Sequence, residues 1–175
     1  MTTKIKSTST SAGPRGRGRT RKAAEPADTR AAWTHLVVDD VMSRQPVTAS
    51  ADDTLPVVVD RMGRRGIRHL PVTDAEHRVI GILSDRDVRT AIGNPMRSLD
   101  PREALVRIES TRVEHVMSRV PITLPSGTRL ERAAALFADK KIGAVPIVDE
   151  KERLIGLVSH TDLLRAVLGP KRNMS

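Results

Sequence analysis

Two four-residue stretches pair a hydroxyl with a carboxylate three positions on: Ser84-Asp85-Arg86-Asp87 and Ser159-His160-Thr161-Asp162. Each follows an apolar run, Gly81-Ile82-Leu83 in one case and Gly156-Leu157-Val158 in the other. Ser-x-x-Asp before an apolar segment is a helix-starting device. The serine oxygen and the carboxylate satisfy backbone N–H groups that the first turn leaves without partners. The same arrangement also sets a hydroxyl and a carboxylate where a ligand can reach them. The remaining chemistry-bearing residues are less informative. His35, His69, His77, His115 and His160 show no metal-binding spacing. There is no Walker phosphate loop, no G-x-S-x-G elbow and no dinucleotide glycine fingerprint after a strand. Cysteine is absent, which excludes disulfides, thiolate metal sites and cysteine nucleophiles. The chain therefore reads as a non-enzyme, with no catalytic residues and no metal.

The elements that hold these residues are written twice. Val41-Met42-Ser43-Arg44-Gln45-Pro46-Val47-Thr48 recurs as Val116-Met117-Ser118-Arg119-Val120-Pro121-Ile122-Thr123, and residues 66–88 recur as 141–163, at a constant offset of 75. A repeat this regular means two copies of one supersecondary unit. Within each copy, Pro46 to Ala49 and Pro121 to Leu124 read as short strands. Leu55, Val58, Val59 and Met62 have helical spacing over 54–64, with Pro56 tolerated in the first turn. Leu130, Ala133, Ala134 and Phe137 repeat that pattern in a helix beginning near Thr128. Two strands follow in each copy, joined by short turns at 74–77 and 149–152, and the second helices start at Ser84 and Ser159. The order is strand, helix, strand, strand, helix. Between the copies, Asp100, Pro101 and Glu103 read as cap, first-turn proline and capping acid of a linker helix over 101–109. The resulting division is a tail at 1–30, a first repeat at 36–93, a linker at 94–111 and a second repeat at 112–169.

Composition narrows the class further. The net charge is +9. Residues 1–30 hold eight Lys or Arg against Glu25 and Asp28, whereas residues 31–175 hold 22 basic and 19 acidic residues. The first 30 residues have almost no large apolar side chains, so they cannot offset their ordering entropy and are expected to be disordered. The Arg/Gly tract at 13–22 reads first as a solvated tail; its other reading is weak electrostatic contact with nucleic acid. Trp33 and Phe137 are the only aromatic residues, which makes the core aliphatic and argues against base-stacking recognition. No apolar stretch is long enough to cross a bilayer, so no membrane contact is expected, and a cytoplasmic chain is the simplest reading.

The paired Val-Met-Ser-x-x-Pro motifs, then Leu70-Pro71-Val72 and Val145-Pro146-Ile147, then the Gly-x-x-Ser-x-x-Asp motifs resemble a tandem cystathionine-β-synthase (CBS) domain pair, or Bateman module. The resemblance spans roughly Val38 to Leu168, and order, spacing and duplication carry it more than any single motif. It implies an α/β (α+β) fold of two CBS repeats. Each would be a small, mainly antiparallel sheet packed on two helices, with the repeats related by a pseudo-twofold axis. It also implies two clefts between the repeats, regulatory binding of an adenine nucleotide with no catalytic cofactor, and a homodimer. Such modules often regulate a domain on the same chain, and with the residues here taken up by the pair the regulated activity is expected on a separate partner protein.

By the same resemblance, Asp87 and Asp162 would bond ribose hydroxyls beside Ser84 and Ser159. A carboxylate suits a vicinal diol, since its two oxygens accept two O–H donors. Arg68 and His69 match positions used against phosphates, and Arg86 adds another cation. The second copy has Gly143, Ala144 and Thr161 at the equivalent places. The cleft around Asp87 is thus expected to prefer phosphorylated ligands and the cleft around Asp162 to be less charged, either empty or holding a nucleoside-like group. Thr48 and Thr123 either line the clefts or satisfy local backbone. Two other functions stay open: a nucleic-acid-associated protein using the basic tail, with the pair as dimeriser, and a structural dimer with vestigial clefts.

Overall fold

A computed structural model describes Trp33 and residues 35–93 and 101–169. Residues 1–30, with the tract at 13–22, and Asp100 lie outside the described residues, as does the side chain of Glu103. The first copy runs α1 (Val38–Val41), β1 (Ser43–Arg44), α2 (Leu55–Arg65), β2 (His69–Thr73), β3 (Val79–Ser84) and α3 (Asp85–Ile92). A linker helix, α4 (Pro101–Ser110), leads to a 3-10 turn at Val113–His115. The second copy then runs β4 (Ser118–Arg119), β5 (Leu124–Pro125), α5 (Leu130–Lys140), β6 (Ala144–Val148), β7 (Leu154–Ser159) and α6 (His160–Leu168).

Local rules account for these elements. Of the residues at helical spacing, helix α2 buries Leu55, Val58 and Met62 and leaves Val59 exposed, and Gly66 ends it with a left-handed φ of 62°. Helix α5 buries Leu130, Ala133 and Phe137, and Lys141 takes the same left-handed position at φ 54°. The two hairpin turns are matched devices. The Oδ1 atoms of Asp74 and Asp149 accept N–H bonds from Arg78 and Arg153 at 2.8 and 2.9 Å. The Oδ2 atoms accept from the Nε atoms of the same arginines at 2.8 Å. His77 and Glu152 close the turns at φ 62° and 61°.

The copies complete one another. Strand β1 of the first copy pairs antiparallel with β7 of the second, Ser43 opposite Leu157 and Arg44 opposite Gly156. Reciprocally, β4 pairs with β3, Ser118 opposite Ile82 and Arg119 opposite Gly81. One sheet is therefore ordered β1-β7-β6-β5 and the other β2-β3-β4. Among the described strands every pairing is antiparallel except β5 with β6, whose equivalent in the first repeat is the isolated parallel bridge of Ala49 to Val72. The core follows the same exchange. Val113 and Met117 pack into the cluster built on Leu55, Val58, Leu70 and Leu83. Val38 and Met42 pack into the one built on Leu130, Phe137, Val145 and Val158. Burying each such side chain contributes roughly 1.5–3 kcal/mol, so neither repeat keeps its core without the other's leading segment. Backbone bridges Val37 to Arg129 and Thr54 to Arg112 are likewise equivalent, and Arg78 pairs with its own equivalent, Arg153. A pseudo-twofold axis thus passes by the hairpin tips.

The expected strands at Pro46–Ala49 and Pro121–Leu124 are corrected. The strands lie earlier, at Ser43–Arg44 and Ser118–Arg119. Gln45 and Val120 then turn the chain with φ values of 49° and 51°. Left-handed backbone cannot continue a strand, so of these segments only Ala49, in a bridge to Val72, and Leu124, in β5, pair with a sheet.

Candidate functional site: two helix caps and a cleft between the repeats

At the β3–α3 junction, Asp87 Oδ2 accepts from the Ser84 N–H at 2.8 Å and from the Ser84 hydroxyl at 2.6 Å. The Asp87 N–H in turn donates to Ser84 Oγ at 3.2 Å. At the β7–α6 junction, Asp162 Oδ2 accepts from Ser159 N–H at 2.9 Å and from its hydroxyl at 2.6 Å. Both stretches are capping boxes, as the spacing requires. Each cap uses one carboxylate oxygen. The other oxygen of Asp162, Oδ1, has Arg165 Nη1 3.7 Å away. The cap therefore positions the acid without consuming it.

Asp162 lines a cleft of about 800 Å³ built by both repeats. The first repeat contributes Ser43 to Val47 and Arg65 to His69. The second contributes Gly143, Leu157, Ser159 to Asp162 and Arg165. Four arginines line it, Arg44, Arg65, Arg68 and Arg165, with one carboxylate, that of Asp162. Arg44 donates to the Asp39 carbonyl at 3.1 Å. Arg65 and Arg68 have no carboxylate partner among the described residues. Two imidazoles complete the wall. His160 tilts against Phe137, with ring centroids 4.6 Å apart. His69 is half-buried, and burial holds its pKa below the ordinary histidine value. Asp85 and Asp87 act against that shift, and His160 and Arg68 add to it.

This placement reverses the expected charge asymmetry. Arg68 and His69 line the Asp162 cleft, not one separate from it, so that cleft is the more cationic. The reason is the pseudo-twofold seam. Gly143, the equivalent of Arg68, lies so close to His69 that a Cβ on it would overlap Nε2. Residues on this seam border the opposite repeat, whatever their distance along the chain from Asp87. The positions equivalent to Arg68, His69, His160 and Arg165 are Gly143, Ala144, Asp85 and Thr90. Around Asp87 a second carboxylate thus stands where the Asp162 cleft has an imidazole. There Asp85 pairs with Arg89 at 3.1 Å, and Arg119 is tied to the Glu114 carbonyl at 3.1 Å.

Of the residues singled out from sequence, Arg68, His69, Ser159, Thr161 and Asp162 come together in this one cleft. Ser84, Arg86 and Asp87 sit at the equivalent helix start and do not line it, nor does Thr123. Thr48 lines a separate groove of about 380 Å³ with Gln45, Pro46, His77, Asp149 and Arg153. Sequence reasoning missed Arg44, Arg65, His160 and Arg165. Arg165 had a signal, one helical turn beyond Asp162 on the same face. Arg44 and Arg65 had none, because separate elements bring them in. Among the described residues no cluster of His, Asp or Glu could hold a metal ion. No described helix is long and apolar enough to cross a membrane.

Comparison with known proteins agrees with this architecture. The family model of the CBS domain matches residues 38–94 and 113–169, and the chain belongs to the CBS-domain family. It is 32% identical over 129 residues to a CBS domain-containing protein of Dictyostelium discoideum, covering 74% of this chain and 89% of that one. It spans less than half the length of the next curated relatives it matches. Among solved structures, a CBS domain pair in complex with 5′-methylthioadenosine and S-adenosyl-L-methionine aligns with a TM-score of 0.63. That alignment has 25% identity over 78% of this chain and 98% of the other. The cytosolic domain of the Mg2+ channel MgtE in complex with ATP aligns with a TM-score of 0.56. Its identity is 29% over 71% of this chain and 46% of that one.

Proposed function

We propose that this chain is a regulatory module that binds a phosphorylated adenine nucleotide in the Asp162 cleft and reports its occupancy to a partner protein. The observation that carries the reading is the presence, in the lining of one cleft, of a pre-positioned carboxylate and four arginines drawn from three places in the fold, namely β1, the α2–β2 segment and α6. Asp162 Oδ1 accepts from the ribose hydroxyls while Oδ2 holds the cap. Arg44, Arg65, Arg68 and Arg165 neutralise the phosphates, which the α6 N-terminus also attracts. The resemblance to CBS pairs crystallised with adenosine-containing ligands supports the adenine part. The regulatory role is supported by the paired CBS repeats that make up most of the described chain. Because the cleft is made by both repeats and the core is exchanged between them, occupancy changes how the repeats sit together. A partner can read that change, and so can a second copy seated on the exposed Leu164 and Leu168 of α6.

Thermal unfolding with adenosine, AMP, ADP and ATP tests the reading. A ligand at about a hundred times its Kd stabilises the fold by about 2.7 kcal/mol. The expected order places the phosphorylated ligands above adenosine. No shift with any of the four, in protein stripped of copurified ligand, overturns the proposal.

A further inference from the structure

His69 stands at the seam of the two repeats with its ring on the α-carbon of Gly143, where a Cβ would overlap Nε2 and lie 2.7 Å from Cε1. Gly143 lies outside the left-handed region, so what the glycine supplies here is room for the imidazole. No described group hydrogen-bonds either ring nitrogen. No buried side-chain nitrogen or oxygen lacks a partner among the described residues either. The ring nitrogens of this half-buried residue therefore reach the open space of the cleft that His69 lines. The charged and titratable groups facing it are Arg68 next to it in the chain, Asp85 and Asp87 on α3, and His160 on α6. Farther round the same cleft are Arg44, Arg65, Asp162 and Arg165.

We propose that the Asp162 cleft takes up a proton on His69 when its phosphorylated ligand binds, so that affinity for the anion rises as the pH falls. The inference rests on the nucleotide reading and adds its regulation. In the free protein, burial first, and then His160 and Arg68, hold the imidazole's pKa below the ordinary value against the pull of Asp85 and Asp87. A phosphate in the cleft adds negative charge beside a ring nitrogen that has no partner. The imidazolium then donates a charge-assisted hydrogen bond, and its pKa rises on binding. Binding and protonation become linked. The gain is complete below the free-state pKa and lost as the pH rises through the bound-state value.

The test is calorimetry of the full chain with ADP between about pH 6 and pH 8, in paired buffers of different ionisation enthalpy. ADP has a titrating phosphate of its own, so the comparison is wild type against His69→Gln. Wild type is expected to take up more proton than the variant on binding, up to about one, and its Kd to rise more steeply with pH, by roughly threefold to tenfold per pH unit. Equal proton uptake and parallel pH profiles, with both proteins binding ADP, overturn the inference and leave the nucleotide reading intact. Absence of ADP binding at every pH overturns both. A second readout needs no variant. The His69 imidazole resonance, followed by NMR through a pH titration, is expected to show a higher pKa with ADP present, and an unchanged pKa overturns the inference.

Discussion

The Met42 thioether rests against Gly156 so closely that a Cβ on the glycine would overlap Sδ and come within 2.8 Å of Cγ. The contact joins the leading segment of the first repeat to the central strand of the second. Its equivalent joins Met117 to Gly81. Both methionines are buried, so neither can swing into solvent. Gly156→Ala is expected to destabilise the fold by about 1–3 kcal/mol through overpacking. Combining it with Met42→Ala should cost less than the sum of the two single changes, because the shortened side chain makes room. Chemical denaturation of the four proteins in a double-mutant cycle measures this, and simple additivity would show that the contact does not couple the repeats.

The two capping acids have a common structural role and different expected ligand roles. Asp87→Ala and Asp162→Ala each remove an acceptor for a serine N–H, a loss of about 0.5–2 kcal/mol of stability. Asp162→Asn keeps a cap acceptor and removes the charge. It is expected to melt closer to wild type than Asp162→Ala does, yet to weaken ADP binding about tenfold to a hundredfold, the worth of one charge-assisted hydrogen bond. Melting curves and ADP titrations of the three variants separate the two roles.

Phosphate recognition by the cationic wall predicts a loss of discrimination, not of binding alone. Arg68→Gln and Arg165→Gln should weaken ADP binding while leaving adenosine binding nearly unchanged, narrowing the gap between the two ligands. Adding salt should weaken ADP binding to wild type more than adenosine binding, since the cleft is open and its charges are screened. Titrations with both ligands at two ionic strengths decide this. Equal losses for ADP and adenosine would place the arginines outside the phosphate subsite.

His69 also makes the stability of the free protein pH-dependent. Its pKa in the fold lies below the ordinary value of 6.5, burial being the largest cause. Above the ordinary value neither state binds the proton, and the residue contributes no pH dependence. As the pH falls below that value the unfolded chain protonates first, so stability declines until the pH passes below the folded-state pKa. Thermal unfolding across this window should fall more steeply for wild type than for His69→Gln. Parallel curves would show that burial does not oppose the charge.

Val120 carries a β-branched side chain at φ 51° and is 91% exposed, while its equivalent Gln45 holds φ 49°. Left-handed backbone costs such a residue roughly 1–2 kcal/mol, and asparagine tolerates it better. Val120→Asn is therefore expected to raise the melting temperature. An unchanged or lower value would mean that contacts of the valine outweigh its backbone strain.

Much of this was legible in the residues alone. Helical periodicity marked α2 and α5, and Ser-x-x-Asp marked the starts of α3 and α6, because each is a local rule acting within a few residues. The same reasoning misplaced the strands after Arg44 and Arg119, since nothing in Gln45 or Val120 announces a left-handed turn.

The sequence by itself determined the duplication, the aliphatic core, the absence of cysteine chemistry and the two carboxylates at helix starts. Such properties follow from residue identity and short-range spacing. Only the tertiary structure decided that the repeats exchange strands and core residues, and that Arg68 and His69 stand in the cleft of Asp162. It also brought Arg44, Arg65 and Arg165 into the same wall. Those facts depend on how the pseudo-twofold axis folds distant segments against each other, and linear order holds no record of which repeat a side chain at the seam will face.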